Sequence, residues 1–317
     1  MRTVARLRQE PLTAFGLPVL GGAIVPTVGQ HWWVDAYAAV HTPKYAFGHG
    51  RSQDYPLSTF AAAESASQTG DVILIHGKVF EEATMSNLKF DRKVVGIGGQ
   101  HHGDQPTSSY HPGASAFRPP SSPTATTALV TVRGRGTEFH NLMFDCPVDD
   151  AGIDLIRNAL SDVSEYDASH AIISNCRFTD GLIAVKNDGG ASFVRISNSR
   201  FQRMSGSGAA AIKCTSTGVA VPLNWVIETS DFHNNASHIL SSMSYSSIKD
   251  NIFGRFTATL SIDIDDQPSA NQGEYNVITR NYLSGTYSAT AYPPGSNNEW
   301  GGNYNSLSGG VTAADPV

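Results

Sequence analysis

Residues 261–267 read SIDIDDQ and place three carboxylates, Asp263, Asp265 and Asp266, within four positions. Ile262 and Ile264 alternate with them, which is the periodicity of a strand whose apolar side faces the core. Two carboxylates at i and i+2 on the outer side of a strand lie roughly 6.5–7 Å apart. That separation suits a set of metal ligands, a carboxyl pair for inverting hydrolysis, or a solvated strand surface.

The nearest basic candidates are Lys186 and Lys213, at the ends of the runs LIAVK and AAAIK. Aligning these runs with SIDID puts both lysines close to the column of Asp263. Lys213 and Asp263 are then separated by an intervening strand, about 9.6 Å, which is too far for a contact pair. Lys213, Asp263 and Asp265 are therefore weak catalytic candidates. Asp263, Asp265 and Asp266 are weak candidates for binding Ca²⁺. A solvated strand face is favoured, with a cation or subunit contact and catalysis as the alternatives.

A second group of metal-ligating residue types lies in the segment 100–127, which contains His101, His102 and Asp104. This segment is rich in Pro, Ser and Thr and shows little periodicity. No helix or strand spacing orders the three side chains. We therefore interpret the segment as a long solvated loop insertion, with a metal site as the alternative.

Composition narrows the classes of partner. Charged residues make up 16% of the 317 residues, below the usual ~25%, and the net charge is −6. No basic block is present, which disfavours a nucleic-acid partner. No apolar run approaches the ~20 residues of a membrane span. The three cysteines, Cys146, Cys176 and Cys214, are irregularly spaced, and we predict reduced thiols in or near the core.

A repeat in the second half of the chain indicates the architecture. Two apolar columns, one mostly Ile and one mostly Phe, recur five residues apart on either side of a polar column that begins with asparagines. The six segments are EFHNLMF (138–144), IISNCRF (172–178), RISNSRF (195–201), VIETSDF (226–232), SIKDNIF (247–253) and VITRNYL (277–283). Five is an odd number, so the two columns enter one core only if the chain bends between them. Each segment is thus one corner of a coil.

A second strand follows each of the last five corners. These runs are GLIAVK (181–186), AAAIK (209–213), SHILSS (237–242), TLSIDID (259–265) and TYSATAY (286–292). Stacked asparagines at the corner would hydrogen-bond along the axis, and the change to Thr229, Asp250 and Arg280 predicts a partial ladder. A β-sandwich with coincidental spacing is the alternative to a solenoid.

With these columns the chain resembles a right-handed parallel β-helix of the pectate-lyase-like group, an all-β solenoid. The segment 56–82, with a predicted capping helix at 56–68 and the buried strand VILI, resembles the entry segment of such proteins. The resemblance implies a β-helix body at 32–300, followed by a C-terminal tail at 301–317. Such a scaffold carries enzymes, adhesins and structural proteins alike, so it specifies the fold better than the function.

Enzymes of this group that cleave acidic sugars use Asp-bound Ca²⁺ with a basic residue, and its hydrolases pair aspartates with His and a downstream Arg/Lys motif. Asp265 and Asp266 are adjacent, but neither Gly-His-Gly nor Arg-x-Lys follows them. We therefore predict that the protein is not an enzyme. Its Ser/Thr/Asn-rich and cysteine-poor composition resembles that of β-helix proteins of tailed phages, which implies a structural accessory protein of a virion, most simply a head-decoration protein. A small tail spike or fibre that binds or cleaves host surface glycan is the alternative, and an exported adhesin is a further class.

The N-terminal residues 1–31 contain Pro and Gly interruptions and no periodic core pattern. These interruptions disfavour a signal peptide, and we predict an extended arm that anchors the protein to the major capsid protein or another virion protein. The resemblance also implies a parallel homotrimer. Its contact surface is predicted to hide apolar residues on the flanks, namely Trp225, Tyr245 and Phe256.

Overall fold

The computed structural model describes residues 13–14, 17–20, 23–24, 29–35, 49–53, 55–97, 115–122, 124, 126–158, 166–215, 221–259, 262–263, 273–286, 297–305 and 312–313. These residues form three long sheets. The chain contributes one strand to each sheet in turn, and one such set of strands makes up one coil. Strands of the same sheet from successive coils pair in parallel. This is a parallel β-helix, as the repeat predicted.

The first sheet contains ten described strands: His31–Val34, Val72–Ile75, Lys93–Gly96, Glu138–His140, Ile172–Ser174, Arg195–Ser197, Val226–Glu228, Ser247–Lys249, Val277–Thr279 and Glu299–Gly301. The second sheet also has ten: Lys78–Val79, Ala116–Phe117, Met143–Asp145, Arg177–Gly181, Arg200–Met204, Asp231–His233, Ile252–Thr259, Tyr282–Thr286, Tyr304–Asn305 and Thr312–Ala313. The last of these strands pairs antiparallel with Tyr304–Asn305.

The third sheet has parallel strands at Ala83–Met85, Val130–Val132, Ala151–Asn158, Ile183–Asp188, Ala210–Thr215, Ile239–Ser241 and Ile262–Asp263. A short strand, Tyr166–Asp167, pairs antiparallel with Ala151–Asn158. Ile262 is the register partner of Ile239 on the neighbouring strand, and Ile239 is fully buried. Of the strand predicted at 259–265, the structure describes Ile262–Asp263 in the third sheet, whereas Thr259 ends a strand of the second sheet. Asp265 and Asp266 lie outside the described residues.

The two apolar columns are stacked as predicted. In the first sheet Phe139, Ile173 and Ile196 are register partners, and the column continues to Ile278. In the second sheet the rings of Phe144, Phe178, Phe201, Phe232 and Phe253 stack face to face, with centroids 4.7–5.0 Å apart. Phe117 extends the stack by one ring, at 5.4 Å from Phe144. Burial of these columns forms one continuous core along the axis.

The predicted bend also occurs at the predicted column. Each of its six residues has left-handed backbone geometry, with φ between 49° and 57°: Asn141, Asn175, Asn198, Thr229, Asp250 and Arg280. A second left-handed column precedes the strands of the first sheet by two residues, with φ between 54° and 62°: His170, Phe193, Asn224, Tyr245, Tyr275 and Asn297. Left-handed geometry is costly for residues other than Gly, so both corners need external support.

The hydrogen-bond ladder that supplies this support lies mainly one residue after the predicted column. Within the predicted column, Asn175 donates to Asn141 Oδ1 at 3.2 Å, and Arg280 forms an ion pair with Asp250. In the next column the backbone N–H of each residue donates to the side chain of its neighbour one coil further along. The acceptors, at 3.0–3.2 Å, are Ser199, Ser230, Asn251, Asn281 and Asn303. Because this column is buried, its polar side chains satisfy backbone groups that water does not reach.

The N-terminal end of the stack is covered by the helix Phe60–Ala66, which lies within the predicted span 56–68. Thr59 caps the helix, and Glu81 accepts hydrogen bonds from the backbone N–H groups of Phe60 and Ala61. The ring of Phe60 meets Phe117 edge-on at 5.2 Å. The helix therefore ends the aromatic stack with an apolar side chain.

Other predictions have mixed outcomes. The three cysteines are free and buried, and burial raises the pKa of Cys176 and Cys214 to about 12. Trp225, predicted on an exposed flank, is fully buried because its indole packs in the core and donates to Ala191 O at 2.9 Å. Tyr245 is 58% exposed, as predicted, and the side chain of Phe256 lies outside the described residues.

The described part of the arm contains three short strands, Thr13–Ala14, Leu17–Leu20 and Ala23–Ile24. They pair antiparallel with one another and form a small sheet distinct from the three sheets of the body. Across all described residues, no helix combines the length and the apolar character that crossing a bilayer requires.

The Phe stack generates a stability prediction. Phe201→Ala should lower the free energy of unfolding by about 3–5 kcal/mol, because it removes a buried ring between two stacked neighbours. Phe193→Ala, at a half-exposed position, should cost less than about 1 kcal/mol. Urea unfolding of both variants measures the difference, and equal losses would mean that the stack is not the main stabilising contact.

Candidate functional site

The structure places the sequence-predicted site residues along one line on the third sheet. Lys186 pairs with Lys213, Lys213 with Leu240, and Leu240 with Asp263. Lys213 and Asp263 are therefore two strands apart, as predicted, and are not register neighbours. Lys213 is exposed at its tip and donates to Gly208 O at 3.3 Å. For Asp263 the structure describes the backbone but not the side chain. His101, His102 and Asp104 lie outside the described residues.

A cluster of charged residues that the sequence analysis missed surrounds Lys186. Asp154 lies on the neighbouring strand, directly opposite Lys186 in the register. Lys186 Nζ is 2.7 Å from Asp188 Oδ2, 3.7 Å from Asp154 Oδ2 and 3.7 Å from Asp150 Oδ1. We call these four residues the Lys186 cluster. One ammonium thus contacts three carboxyl groups, so the cluster carries an excess of negative charge when all three are ionised.

The third sheet explains how these four residues meet. Asp154 and Lys186 follow the core residues Ile153 and Val185 on adjacent parallel strands, so alternation turns both to the outer face. Asp188 is two residues further along the strand of Lys186 and returns to the same face. Asp150 precedes its strand, and its carboxylate accepts from the backbone N–H of Ala151 at 2.8 Å.

Asp154 is the unusual member of the cluster. Its side chain is only 10% exposed, and no described residue donates a hydrogen bond to its Oδ1. Burial, with a further contribution from the charge of Asp188, raises the pKa of Asp154 to about 7, although Lys186 opposes the shift. Burial lowers the pKa of Lys186, but its contacts with Asp188 and Asp154 outweigh that effect and raise it. Lys186 therefore stays charged while Asp154 exchanges a proton near neutral pH.

The cluster differs from a metal centre. Within the described ranges, no three His, Cys, Asp or Glu side chains are arranged to hold a metal ion. In the Lys186 cluster the space between the carboxyl groups is taken by the ammonium of Lys186, which supplies the neutralising charge. Ca²⁺ bound by Asp263, Asp265 and Asp266 remains an untested prediction, because those side chains are not described.

A cleft of about 440 Å³ opens beside the cluster, where the second sheet leads into the third. It is lined by Val148, Asp180, Gly181, Arg203, Ser205 and Asn234. The turn between Met143–Asp145 and Ala151–Asn158 contributes Val148 to the cleft and Asp150 to the cluster. The turn that lines the cleft therefore leads directly into the strand that carries Asp154.

The sequence contains a signal that would have found the cluster. The run AGIDLI (151–156) is the second strand of the first repeat, and it aligns with IAVKND (183–188). That alignment places Asp154 beside Lys186. The second strands recognised in the repeat begin at residue 181. Lys186 was therefore considered without Asp154, its acidic neighbour on the preceding coil.

Comparison with known proteins supports the fold. The structure is similar to a pectate lyase, Pel9A, with a TM-score of 0.52 and 14% identity over 89% of this chain and 75% of that one. It is also similar to a rhamnogalacturonan lyase (TM-score 0.38, 10% identity, 89% of this chain and 88% of that one). A third similar structure is that of the Dettilon tailspike protein gp208 (TM-score 0.39, 11% identity, covering 80% of this chain and 50% of that one).

No protein-family profile matches the sequence, and no curated protein matches it. At 14% identity the likeness to Pel9A is one of fold. The chain has the parallel β-helix fold.

The raised pKa of Asp154 generates a prediction about stability. The folded protein holds this proton up to about pH 7, whereas an unperturbed Asp releases it near 3.8. The stabilisation is therefore fully present at low pH and is lost as the pH rises through about 7. Between pH 4 and 7, wild type should lose up to about 4 kcal/mol relative to Asp154→Asn, whose amide mimics the protonated acid.

Urea unfolding at several pH values measures this difference. Asp250→Asn is the matched control, because Arg280 lowers the pKa of Asp250 and any effect there has the opposite sign. A pH dependence that is the same in wild type and in Asp154→Asn would contradict the assignment.

Proposed function

We propose that the protein is a polysaccharide-cleaving β-helix in which Asp154 is the proton-transferring residue. The observation that carries the proposal is the state of Asp154, a nearly buried carboxyl group with a pKa of about 7. It belongs to a cluster whose Asp150 lies in the turn that lines an open cleft. General acid–base catalysis is most effective when the pKa of the group lies near the working pH. This proposal favours the alternative prediction, a glycan-acting protein, over a purely structural one.

The chemistry that suits the cluster is hydrolysis. Protonated Asp154 would donate its proton to the glycosidic oxygen, and a second carboxyl group would activate water or stabilise the positive charge on the sugar ring. Asp188 fits the second role, because its Oδ2 lies 2.7 Å from Lys186 Nζ on the same strand. Lys186 would hold the two carboxyl groups close together and balance part of their charge. The outer face of stacked strands also offers an elongated surface, which suits a linear polymer.

A panel of neutral and acidic polysaccharides, incubated with purified protein, tests this proposal. We expect new reducing ends without unsaturated products, in the presence of EDTA as well as Ca²⁺. Asp154→Asn should lower the rate by about 10²–10⁴-fold. Wild-type activity should fall as the pH rises above about 7, because the acid then loses its proton.

Two controls make the result specific. Asp250→Asn removes an exposed carboxylate at another corner and should leave the rate within about twofold. The double change Asp263→Asn and Asp265→Asn should also leave cleavage and folding intact. Cleavage that survives Asp154→Asn but vanishes in the double variant would move the active site to the run 261–267. Unsaturated products that require Ca²⁺ would replace hydrolysis with elimination.

The protein would act at the surface of a phage virion, as a small spike or fibre component, with head decoration as the structural alternative. Two observations support an attached oligomer. The three strands of the arm pair among themselves and apart from the body. Several exposed apolar side chains lie on the last coils. Ile252, Tyr282 and Tyr304 form one line on the second sheet, and Tyr245 stacks on Tyr275 at the corner that precedes the first sheet. We assign this apolar band to contacts within a homotrimer.

Deletion of residues 1–30 separates attachment to the particle, which we assign to the arm, from trimerisation, which we assign to the apolar band. The truncated protein should still sediment as a trimer, because the apolar band lies within 245–304, and it should no longer join the particle. Tyr282→Ser, the matched interface variant, should shift the sedimentation toward the monomer. A truncated protein that assembles normally would exclude the arm as the anchor, and a wild-type monomer would exclude the trimer.

A further inference from the structure

The cleft beside the Lys186 cluster is built from equivalent positions of three successive coils. Thr179, Gln202 and His233 are register partners in the second sheet. The residues that follow them, Asp180, Arg203 and Asn234, line the cleft. All three have left-handed backbone geometry, with φ of 53°, 61° and 53°. The same corner therefore presents a carboxylate, a guanidinium and an amide in a row.

The polar groups of this row offer both donors and acceptors. Arg203 Nε and Nη2 donate to the two oxygens of Asp180 at 2.5 and 2.6 Å, so the two planar groups face each other as a bidentate pair. Desolvation pushes the pKa of Asp180 upward, but the contacts with Arg203 outweigh it and hold the pKa below its ordinary value. Ser205 adds a hydroxyl and Asn234 an amide. A sugar ring with neighbouring hydroxyls requires this combination, because each hydroxyl both donates and accepts.

The cleft also has an apolar side and a tightly packed corner. Val148 is 83% exposed, so its side chain is available to the C–H face of a ring. Gly181 also lines the cleft, and a Cβ atom there would come within 2.4 Å of Cys146 Cβ. The absence of a side chain at 181 therefore lets this corner pack closely against the turn that contains Val148. A volume of about 440 Å³ accommodates about one or two sugar rings.

Charge selects the class of sugar. The guanidinium of Arg203 is already neutralised by Asp180, so it offers no net positive charge to a sugar carboxylate. The neighbouring cluster has three carboxyl groups for one ammonium and repels polyanions. Resting on the function proposed above, we propose that the cleft is a subsite for a neutral pyranose with vicinal hydroxyls. A chain bound there would extend past Asp150, in the turn that lines the cleft, toward the strand that carries Asp154.

The experiment uses the slow-cleaving Asp154→Asn protein, so that binding is measured without turnover. Isothermal titration calorimetry with neutral gluco-, manno- and galacto-hexasaccharides should show binding of at least one of them, and hexagalacturonate should not bind. In this protein, the additional change Arg203→Lys keeps the positive charge but removes the planar guanidinium with its paired N–H donors. It should weaken binding of the hexasaccharide by about tenfold or more. Val148→Asp, at an exposed position that the fold does not need, should weaken binding similarly.

Arg280→Lys is the matched control. Arg280 forms the same bidentate pair with Asp250, at 2.7 and 2.7 Å, but at the corner between the first and second sheets. This variant should bind within about twofold of its parent. The subsite would be overturned if Arg203→Lys and Arg280→Lys lost the same affinity, or if Arg203→Lys and Val148→Asp both bound as their parent does. It would also be overturned if hexagalacturonate bound more tightly than the neutral hexasaccharides, or if no neutral hexasaccharide bound.

The two proposals fail in different ways. If the subsite is real but Asp154 is not catalytic, neutral oligosaccharides bind and Arg203→Lys weakens them, while wild-type protein releases no reducing ends. If Asp154 is catalytic but the cleft is not a subsite, wild type cleaves with a KM that Arg203→Lys leaves unchanged. With both correct, Arg203→Lys raises KM in the otherwise wild-type protein and lowers kcat less.

Discussion

Face-to-face stacking of phenyl rings along the axis is the interaction on which the rest of the structure depends. From Phe144 to Phe253, successive ring centroids are 4.7–5.0 Å apart, which is close to the spacing of hydrogen-bonded strands. Rings can stack this way only if every coil returns to the same register. A shift of one residue would turn each Phe outward. The stack therefore selects the register, and the register then fixes which outer side chains become neighbours.

Keeping that register requires tight corners, and the corners carry strain. Left-handed residues other than Gly, such as Thr229 and Arg280, are unfavourable in isolation. Buried Ser and Asn side chains offset the cost by accepting hydrogen bonds from the backbone of the preceding coil, as Asn281 does for Asn251 at 3.0 Å. The same geometry aligns Asp180, Arg203 and Asn234 at another corner. Structural support and a binding surface thus arise from one repeated backbone shape.

The sequence predicts the fold to the level of individual columns, because Ile and Phe recur at fixed offsets and apolar burial tolerates little variation. It predicts only part of the ladder: Asn175 donates to Asn141 in the predicted column, but most of the ladder hydrogen bonds lie one residue later. The supporting column changes from Leu142 and Cys176 through serines to asparagines, so its common role is hidden by varied chemistry. The site was missed for a related reason. Asp154 and Lys186 are 32 positions apart, and only the pairing of their strands brings them together. The cleft is built from corner positions whose residue types differ from coil to coil, Asp180, Arg203 and Asn234, so no recurring residue type marks it.

The antiparallel strand at the C-terminal end of the second sheet has a consequence for growth of the solenoid. Without it, the last parallel strand, Tyr304–Asn305, would present an edge that accepts one more parallel coil, from the same chain or from a different molecule. Thr312–Ala313 pairs with Tyr304–Asn305 in the opposite direction, so its outer edge no longer matches the hydrogen-bond pattern that a further parallel coil would present. The reversal therefore acts against addition of a further coil to the second sheet, and so against end-to-end growth through this sheet.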